Sequence, residues 1–146
     1  MDATDCQLAA LLQSNARLTY EQLGDAVGLS TPAAYQRVRK LEEQGILVGY
    51  HGQVSPAAVG RPVLVFARVH PGPTSDVTGL VQTWDVTPEV LECHAVAGTA
   101  GYLIKLRLKN VHELGPHLDH ARKAGCSVSA DVVITTAFER WSVPVS

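Results

Sequence analysis

Between Leu18 and Gly45 the apolar positions recur at helical spacing in two short bursts parted by a glycine. Leu23 and Val27 form the stripe of the first burst, and Ala34, Val38 and Leu41 that of the second. A repeat of three to four residues marks one buried face of a helix. The punctuation agrees with the pattern. Thr19 with Gln22 three residues on is a capping box, and Leu18 before the cap can meet Leu23 as a hydrophobic staple. Gly28 supplies the permissive backbone for a sharp reversal, Ser30 caps the second helix, Pro32 sits harmlessly in its first turn, and Gly45 is a left-handed stop. Upstream, a helix from Asp2 to Ser14 is capped by Asp2, with Leu8, Leu11 and Leu12 on one face. Three helices with converging apolar faces therefore open the chain.

Past Gly45 the spacing changes. Ile46, Val48 and Tyr50 alternate before a glycine, which predicts a short strand or wing, with a plain linker as the alternative. The small residues, Pro and Gly of Ser55 to Pro62 have the composition of a hinge. The expected division is a helical domain over 1–54, a hinge over 55–61 and a second domain over 62–146. That second part reads β-α-β-β-α-β. Val63 to His70 is a β-branched run, and Val77, Leu80, Val81 and Trp84 make a helical stripe behind a Ser75 cap. Glu89 to Ala97 and Tyr102 to Lys109 are two strands joined by the loop Gly98-Thr99-Ala100-Gly101. In the later strand Tyr102, Ile104, Leu106 and Leu108 alternate with Leu103, Lys105, Arg107 and Lys109. Asn110 with Glu113 signals another helix start that Gly115-Pro116 interrupts, so a kink or a true start near Pro116 is expected. With Leu118, Ala121 and Ala124 inward, this helix leads through Gly125 to a long last strand over Ser127 to Phe138. The predicted fold class is α+β: a winged helix-turn-helix followed by a ferredoxin-like β-α-β-β-α-β sandwich.

Composition bounds what such a chain can do. Its 146 residues, 46% apolar and 18% charged, suit a folded globular protein with a real core. No apolar run approaches the roughly 20 residues of a membrane span, so a cytoplasmic location is expected and no membrane partner. Cys6, Cys93 and Cys126 are far apart without CxxC spacing, which argues against a disulfide framework or a zinc site. His117 and His120 stand i, i+3 with His112 upstream, yet no acidic or thiol residue completes a metal constellation. No metal is expected. Nucleophile elbow, Walker loop and dinucleotide fingerprint are all missing from the sequence, so neither catalytic residues nor a cofactor are expected.

Charge constrains the remaining reading. The stripe of the third helix leaves Thr31, Tyr35, Gln36, Arg39 and Lys40 outward, which is the arrangement of a helix that enters the DNA major groove. Thr31, Tyr35, Gln36 and Arg39 are expected at base edges or the groove wall; Ser30, Arg37 and Lys40 are expected to position the helix on phosphates. Yet residues 1–60 hold four cationic side chains (Arg17, Arg37, Arg39, Lys40) against six acidic ones. Affinity for double-stranded DNA must then come from local clustering and from more than one copy per complex.

Several segments together give a resemblance. Asp2 and Asp5 as D-x-x-D, the L-x-x-x-V-G-L-S run ending at Ser30, RVRKLEEQGI from Arg37, GYHGQVSPAAVG from Gly49, and PEVLECHAVAG from Pro88 resemble the Lrp/AsnC (feast/famine) regulators over almost the whole chain. The resemblance implies a transcription regulator, dimeric through its C-terminal sheets as an α+β barrel, often assembling to octamers or higher, with a small effector, commonly an amino acid, in the C-terminal module. Sirohaem decarboxylases resemble the same architecture, which makes a tetrapyrrole enzyme the rival reading; the retained Arg37, Arg39 and Lys40 favour the regulator. A ligand-binding or assembly protein without DNA function is the third, kept open by the acidic helical half. The effector loop departs from the family's G-x-x-D, because Gly101 stands where the aspartate is expected. An α-ammonium buried without an anionic partner is costly. The resemblance therefore implies weakened amino-acid binding, or a different ligand, at Gly98, Thr99, Gly101 and Tyr102, with Asp131 as the nearest substitute carboxylate and Thr135 or Thr136 on a neighbouring strand.

Overall fold

The computed structural model describes residues 1–98 and 101–145. The chain divides into two compact units, one made of Met1–Gln53 together with the tail from Phe138 onward, the other of Val54–Ala137. The first unit contains α1 (Ala3–Ser14), α2 (Tyr20–Val27) and α3 (Thr31–Glu43). Their stripes close a core of Leu8, Ala9, Leu12, Leu23, Ala34, Val38 and Leu41. The tail, placed by sequence with the C-terminal domain, returns to this unit. The Gln13 side-chain amide both donates to the Val143 carbonyl at 3.1 Å and accepts from its N–H at 2.8 Å, and Val145 packs on the helical core.

The expected wing strand does not form. The Ile46 and Leu47 amides both donate to the Leu41 carbonyl, at 2.9 and 3.1 Å, and so finish the C-terminus of α3. A lone strand would have left those donors without a ladder partner. Among the described residues the helix-turn-helix therefore has no wing.

The second unit contains β1 (Val63–Pro71), α4 (Val77–Asp85), β2 (Val90–Ala95), β3 (Tyr102–Leu108), a 3₁₀ turn at Val111–Glu113, α5 (Leu114–Lys123) and β4 (Cys126–Val132). The sheet order is β2-β3-β1-β4 with antiparallel neighbours throughout. Val65, Ala67 and Val69 of β1 and Ile104, Leu106 and Leu108 of β3 share a core with Leu80, Trp84 and Ala121 of the two helices. By alternation Leu64, Phe66 and Arg68 lie on the opposite face.

Three boundaries differ from the sequence reading. Asp76, not Ser75, caps α4 by accepting from the Gly79 N–H; the Ser75 hydroxyl instead accepts from Gly72 and donates to the Gly125 carbonyl. Gly115 and Pro116 fall in the first turn of α5, where a missing N–H is harmless, so the helix starts two residues before Pro116. The last strand stops at Val132 rather than running to Phe138, since Val132 pairs with Val65 and the Val133 N–H takes the Leu64 carbonyl, after which β1 has almost no residues left to pair. No helix among the described residues is long and apolar enough to cross a membrane.

Trp84, 5% exposed, is the largest side chain of the sheet core. Trp84→Ala is expected to destabilise the protein by about 3–5 kcal/mol through lost burial and a cavity, which urea unfolding would measure.

Candidate nucleic-acid interface and effector loop

α3 is set by a tight turn. α2 ends at Gly28, whose φ of 70° is the left-handed region, and the Leu29 N–H closes the turn on the Gly24 carbonyl at 2.8 Å. The approach is so close that a Cβ on Gly24 would lie 2.6 Å from the Leu29 carbonyl oxygen. Gly24 is thus a requirement of the turn that helical periodicity alone hid. Ser30 then caps α3 by accepting from the Ala33 N–H. With Ala34, Val38 and Leu41 buried, Ser30, Thr31, Tyr35, Gln36, Arg39 and Lys40 are exposed along the outer side, and a surface groove beside them is lined by Asp2, Tyr35, Gln36, Arg37, Arg39, Lys40 and Glu43. The Tyr35 ring packs edge to face on Tyr20, the first residue of α2, with centroids 5.1 Å apart.

Arg37, expected on a phosphate, is paired within the chain. Its guanidinium contacts Asp2 at 2.6 Å and Asp5 at 2.7 Å, and Asp5 is itself buried. The same two aspartates form the reciprocal cap of α1. The Arg37 hydrogen bond holds the Asp2 carboxyl below its ordinary range; Asp5 is held down first by the Asp2 backbone N–H and then by Arg37, against the opposing effect of burial. Arg37 is correspondingly harder to deprotonate, through its bonds to Asp2 and Asp5. It is a strut between α1 and α3, which leaves Arg39 and Lys40 as the cations of α3 not held by Asp2 and Asp5. Arg39 stands 3.8 Å from Glu42 and 3.6 Å from Glu43 with about half its side chain in solvent. Such pairs contribute about 0–1 kcal/mol and yield readily to a phosphate. Glu42 also accepts from the Tyr50 hydroxyl at 2.8 Å, and burial, then Glu42, pushes the Tyr50 phenol up to about 12. Lys40 makes no ion pair among the described residues.

The expected effector residues do not converge within one chain. Gly98 has a φ of 139°, and Gly101 is held by its N–H on the Val69 carbonyl and by its own carbonyl on the Val96 N–H, each at 3.0 Å. Thr99 lies outside the described residues. A Cβ on Gly101 would sit 2.5 Å from Cδ and 2.9 Å from Cγ of Pro71. The proline ring occupies the space that a residue with a side chain at 101 would need. Tyr102 turns to the core and meets Trp84, with ring centroids 6.1 Å apart. Asp131 pairs with Arg68 and faces Phe66 across β1, three rows along and two strands over from Tyr102, roughly 14 Å away by strand geometry. Thr135 and Thr136 follow the end of β4 in an irregular, exposed stretch rather than on a strand. Among the described residues no group of three His, Cys, Asp or Glu is placed to hold a metal ion.

Sequence reasoning missed Tyr20, the two aspartates around Arg37, and Pro71. Contacts between residues 32 or 35 apart leave no local pattern, and only an exposed aromatic outside any apolar stripe pointed toward Tyr20.

The strut sets an acid limit. Because folding lowers the Asp2 and Asp5 pKa values beneath the ordinary 3.8, their contribution is whole above that pH and is lost as pH falls through the lower folded values. Asp5→Asn keeps a cap acceptor but no charge. Its melting temperature is expected below that of the unaltered protein at pH 7, with the two curves converging as pH falls below about 3.8 in thermal melts followed by circular dichroism.

Comparison with known proteins agrees with both units. Residues 1–42 match the AsnC-type helix-turn-helix domain and residues 63–134 the Lrp/AsnC ligand binding domain. An HTH-type transcriptional regulator of Bacillus subtilis is 34% identical over 125 residues, covering 86% of this chain and 88% of its own. A transcriptional regulator from Neisseria meningitidis, solved as its L-methionine complex, superposes with a TM-score of 0.91 at 27% identity, covering 99% of this chain and 96% of that one. A feast or famine regulatory protein from M. tuberculosis, complexed with L-methionine, does so at 0.89 and 26% identity, covering 98% of each chain. The three-helix unit, the β2-β3-β1-β4 sheet and these matches together place the chain in the Lrp/AsnC family of transcriptional regulators.

Proposed function

We propose that this protein regulates transcription by presenting two copies of α3, as a homodimer, to half-sites about one helical turn apart in double-stranded DNA. The observation that carries the reading is the outer face of α3. Thr31, Tyr35, Gln36, Arg39 and Lys40 lie together on it, while the opposite stripe is sealed in the core and cannot turn outward. Gln and Arg offer the paired hydrogen-bonding groups that major-groove base edges require; Lys40 and the Ser30 end of the helix suit phosphates. The acidic balance of the helical unit leaves little affinity for arbitrary DNA. Two helices acting together are then what makes the protein selective.

Dimerisation through the sheet face carrying Leu64 and Phe66 fits the same scheme, and assembly to larger oligomers is compatible with it. The C-terminal module is proposed to bind a small effector, in keeping with the L-methionine complexes of its structural relatives. Residue 101 gives that effector no carboxylate, and Arg68 already engages Asp131. A cytoplasmic location follows from this role.

With Arg37 committed to its strut, a dimer has about four cationic contacts, so binding measured by fluorescence anisotropy is expected to fall with a log–log salt slope of about −4. Arg39→Ala is expected to cost about 1–3 kcal/mol of discrimination per half-site, weakening specific binding more than nonspecific binding, and to make the salt slope shallower. Unchanged discrimination would remove α3 from the reading role.

For the effector loop, Gly101→Asp alone is expected to be destabilised by the Pro71 ring. The double variant Pro71→Ala/Gly101→Asp is expected to fold and to show a larger thermal shift with L-methionine than the unaltered protein. Equal shifts would remove residue 101 from effector binding.

A further inference from the structure

Tyr35 sits in the middle of the outer row of α3, one turn after Thr31 and one turn before Arg39, and is 41% exposed despite its aromatic ring. Around it the row is polar or charged. The ring does not hang free, because Tyr20 meets it edge to face at an interplanar angle of 88°. Tyr20 is itself anchored as the first residue of α2, directly behind the Thr19–Gln22 capping box. Apart from that ring contact, the Tyr35 side chain makes no hydrogen bond or ion pair with another described residue. An exposed aromatic restrained by a packed neighbour at the centre of a polar surface offers an apolar face to whatever that surface meets. The major groove offers one such group, the C5 methyl of thymine, while every other base-edge feature there is a hydrogen-bond donor or acceptor.

We propose that Tyr35 reads a thymine methyl in each half-site, and that Tyr20 is the positioning residue that fixes the ring for this contact. The inference rests on the DNA-reading role proposed above and gives it a chemical target. A Tyr side chain has only two χ angles to order, and packing on Tyr20 restrains them before DNA arrives, so the contact is preorganised. Neither Arg39 nor Gln36 distinguishes thymine from uracil, whose hydrogen-bonding edges are identical. The methyl is therefore a feature that only an apolar contact registers.

The test begins with selection of binding sequences from a random double-stranded library by the full chain. Each thymine of the selected site is then replaced in turn by deoxyuridine, and affinity is measured by competition anisotropy. One symmetry-related pair of thymines is expected to matter, with about fourfold weaker binding per half-site, the effect of one methyl group removed from water. In Tyr35→Ala the thymine-to-uracil ratio at that position is expected to fall to one. Tyr35→Phe should keep the ratio, because the ring is retained. Tyr20→Ala should lower the ratio while leaving affinity for the uracil-substituted site nearly unchanged, an outcome that mere support of the fold would not give, and Tyr20→Phe should restore the ratio. Indifference to uracil at every position, or a ratio that persists in Tyr35→Ala, overturns the proposal while leaving sequence-selective binding in place. A ratio lost in Tyr35→Phe assigns the contact to the hydroxyl and also overturns it. Failure to select any sequence would instead refute the DNA-reading role itself.

Discussion

Burial of Ala34, Val38 and Leu41 is the constraint on which the rest of the helical unit depends. A helix has one rotational setting about its axis, so sealing these three against Leu8, Leu12 and Leu23 determines which residues look outward. The turn at Gly24 to Leu29 sets where α3 begins, and the strut from Arg37 to Asp2 and Asp5 ties it to α1. None of these contacts touches DNA in the proposed complex. They decide where Thr31, Tyr35, Gln36, Arg39 and Lys40 stand, and so the reading surface is a by-product of core packing.

The electrostatics act in the opposite sense to those of a general polyanion binder. Of the cations on α3, Arg37 is held by two carboxylates, Arg39 leans weakly on Glu42 and Glu43, and Lys40 makes no ion pair among the described residues. Such a surface has little attraction for an arbitrary duplex. In the proposed complex, contacts to base edges then carry a larger share of the binding free energy, which favours discrimination over strength.

Local features were legible in the sequence because their causes are local. The caps at Asp2, Thr19 and Ser30, the left-handed glycines 28, 45 and 125, and the alternation along β3 each arise within a few residues, and the structure has all of them. The wing and the long last strand were misread for one reason: alternation shows that a segment could be a strand, but not whether a neighbour exists to pair with it. At α4 two adjacent residues could cap, and Ser75 was drawn off by Gly72 and Gly125, 50 residues apart from it in the latter case. The return of the tail to α1, the strut at Arg37 and the Tyr20–Tyr35 pair are contacts between distant residues, invisible to any periodicity. The family resemblance named an effector loop but could not say that Asp131 faces Arg68 or that Thr135 and Thr136 leave the sheet.

The contact of Pro71 with Gly101 has a bearing on descent. Two positions 30 residues apart share one small volume, so a change at either is judged by the occupant of the other. A lineage carrying the proline ring can acquire a side chain at 101 only at the expense of folding, whereas one that first loses the ring finds the position open. History therefore runs more easily in one order than in the other. Closely related chains are expected to vary at these two sites together, as a linked pair rather than as single residues.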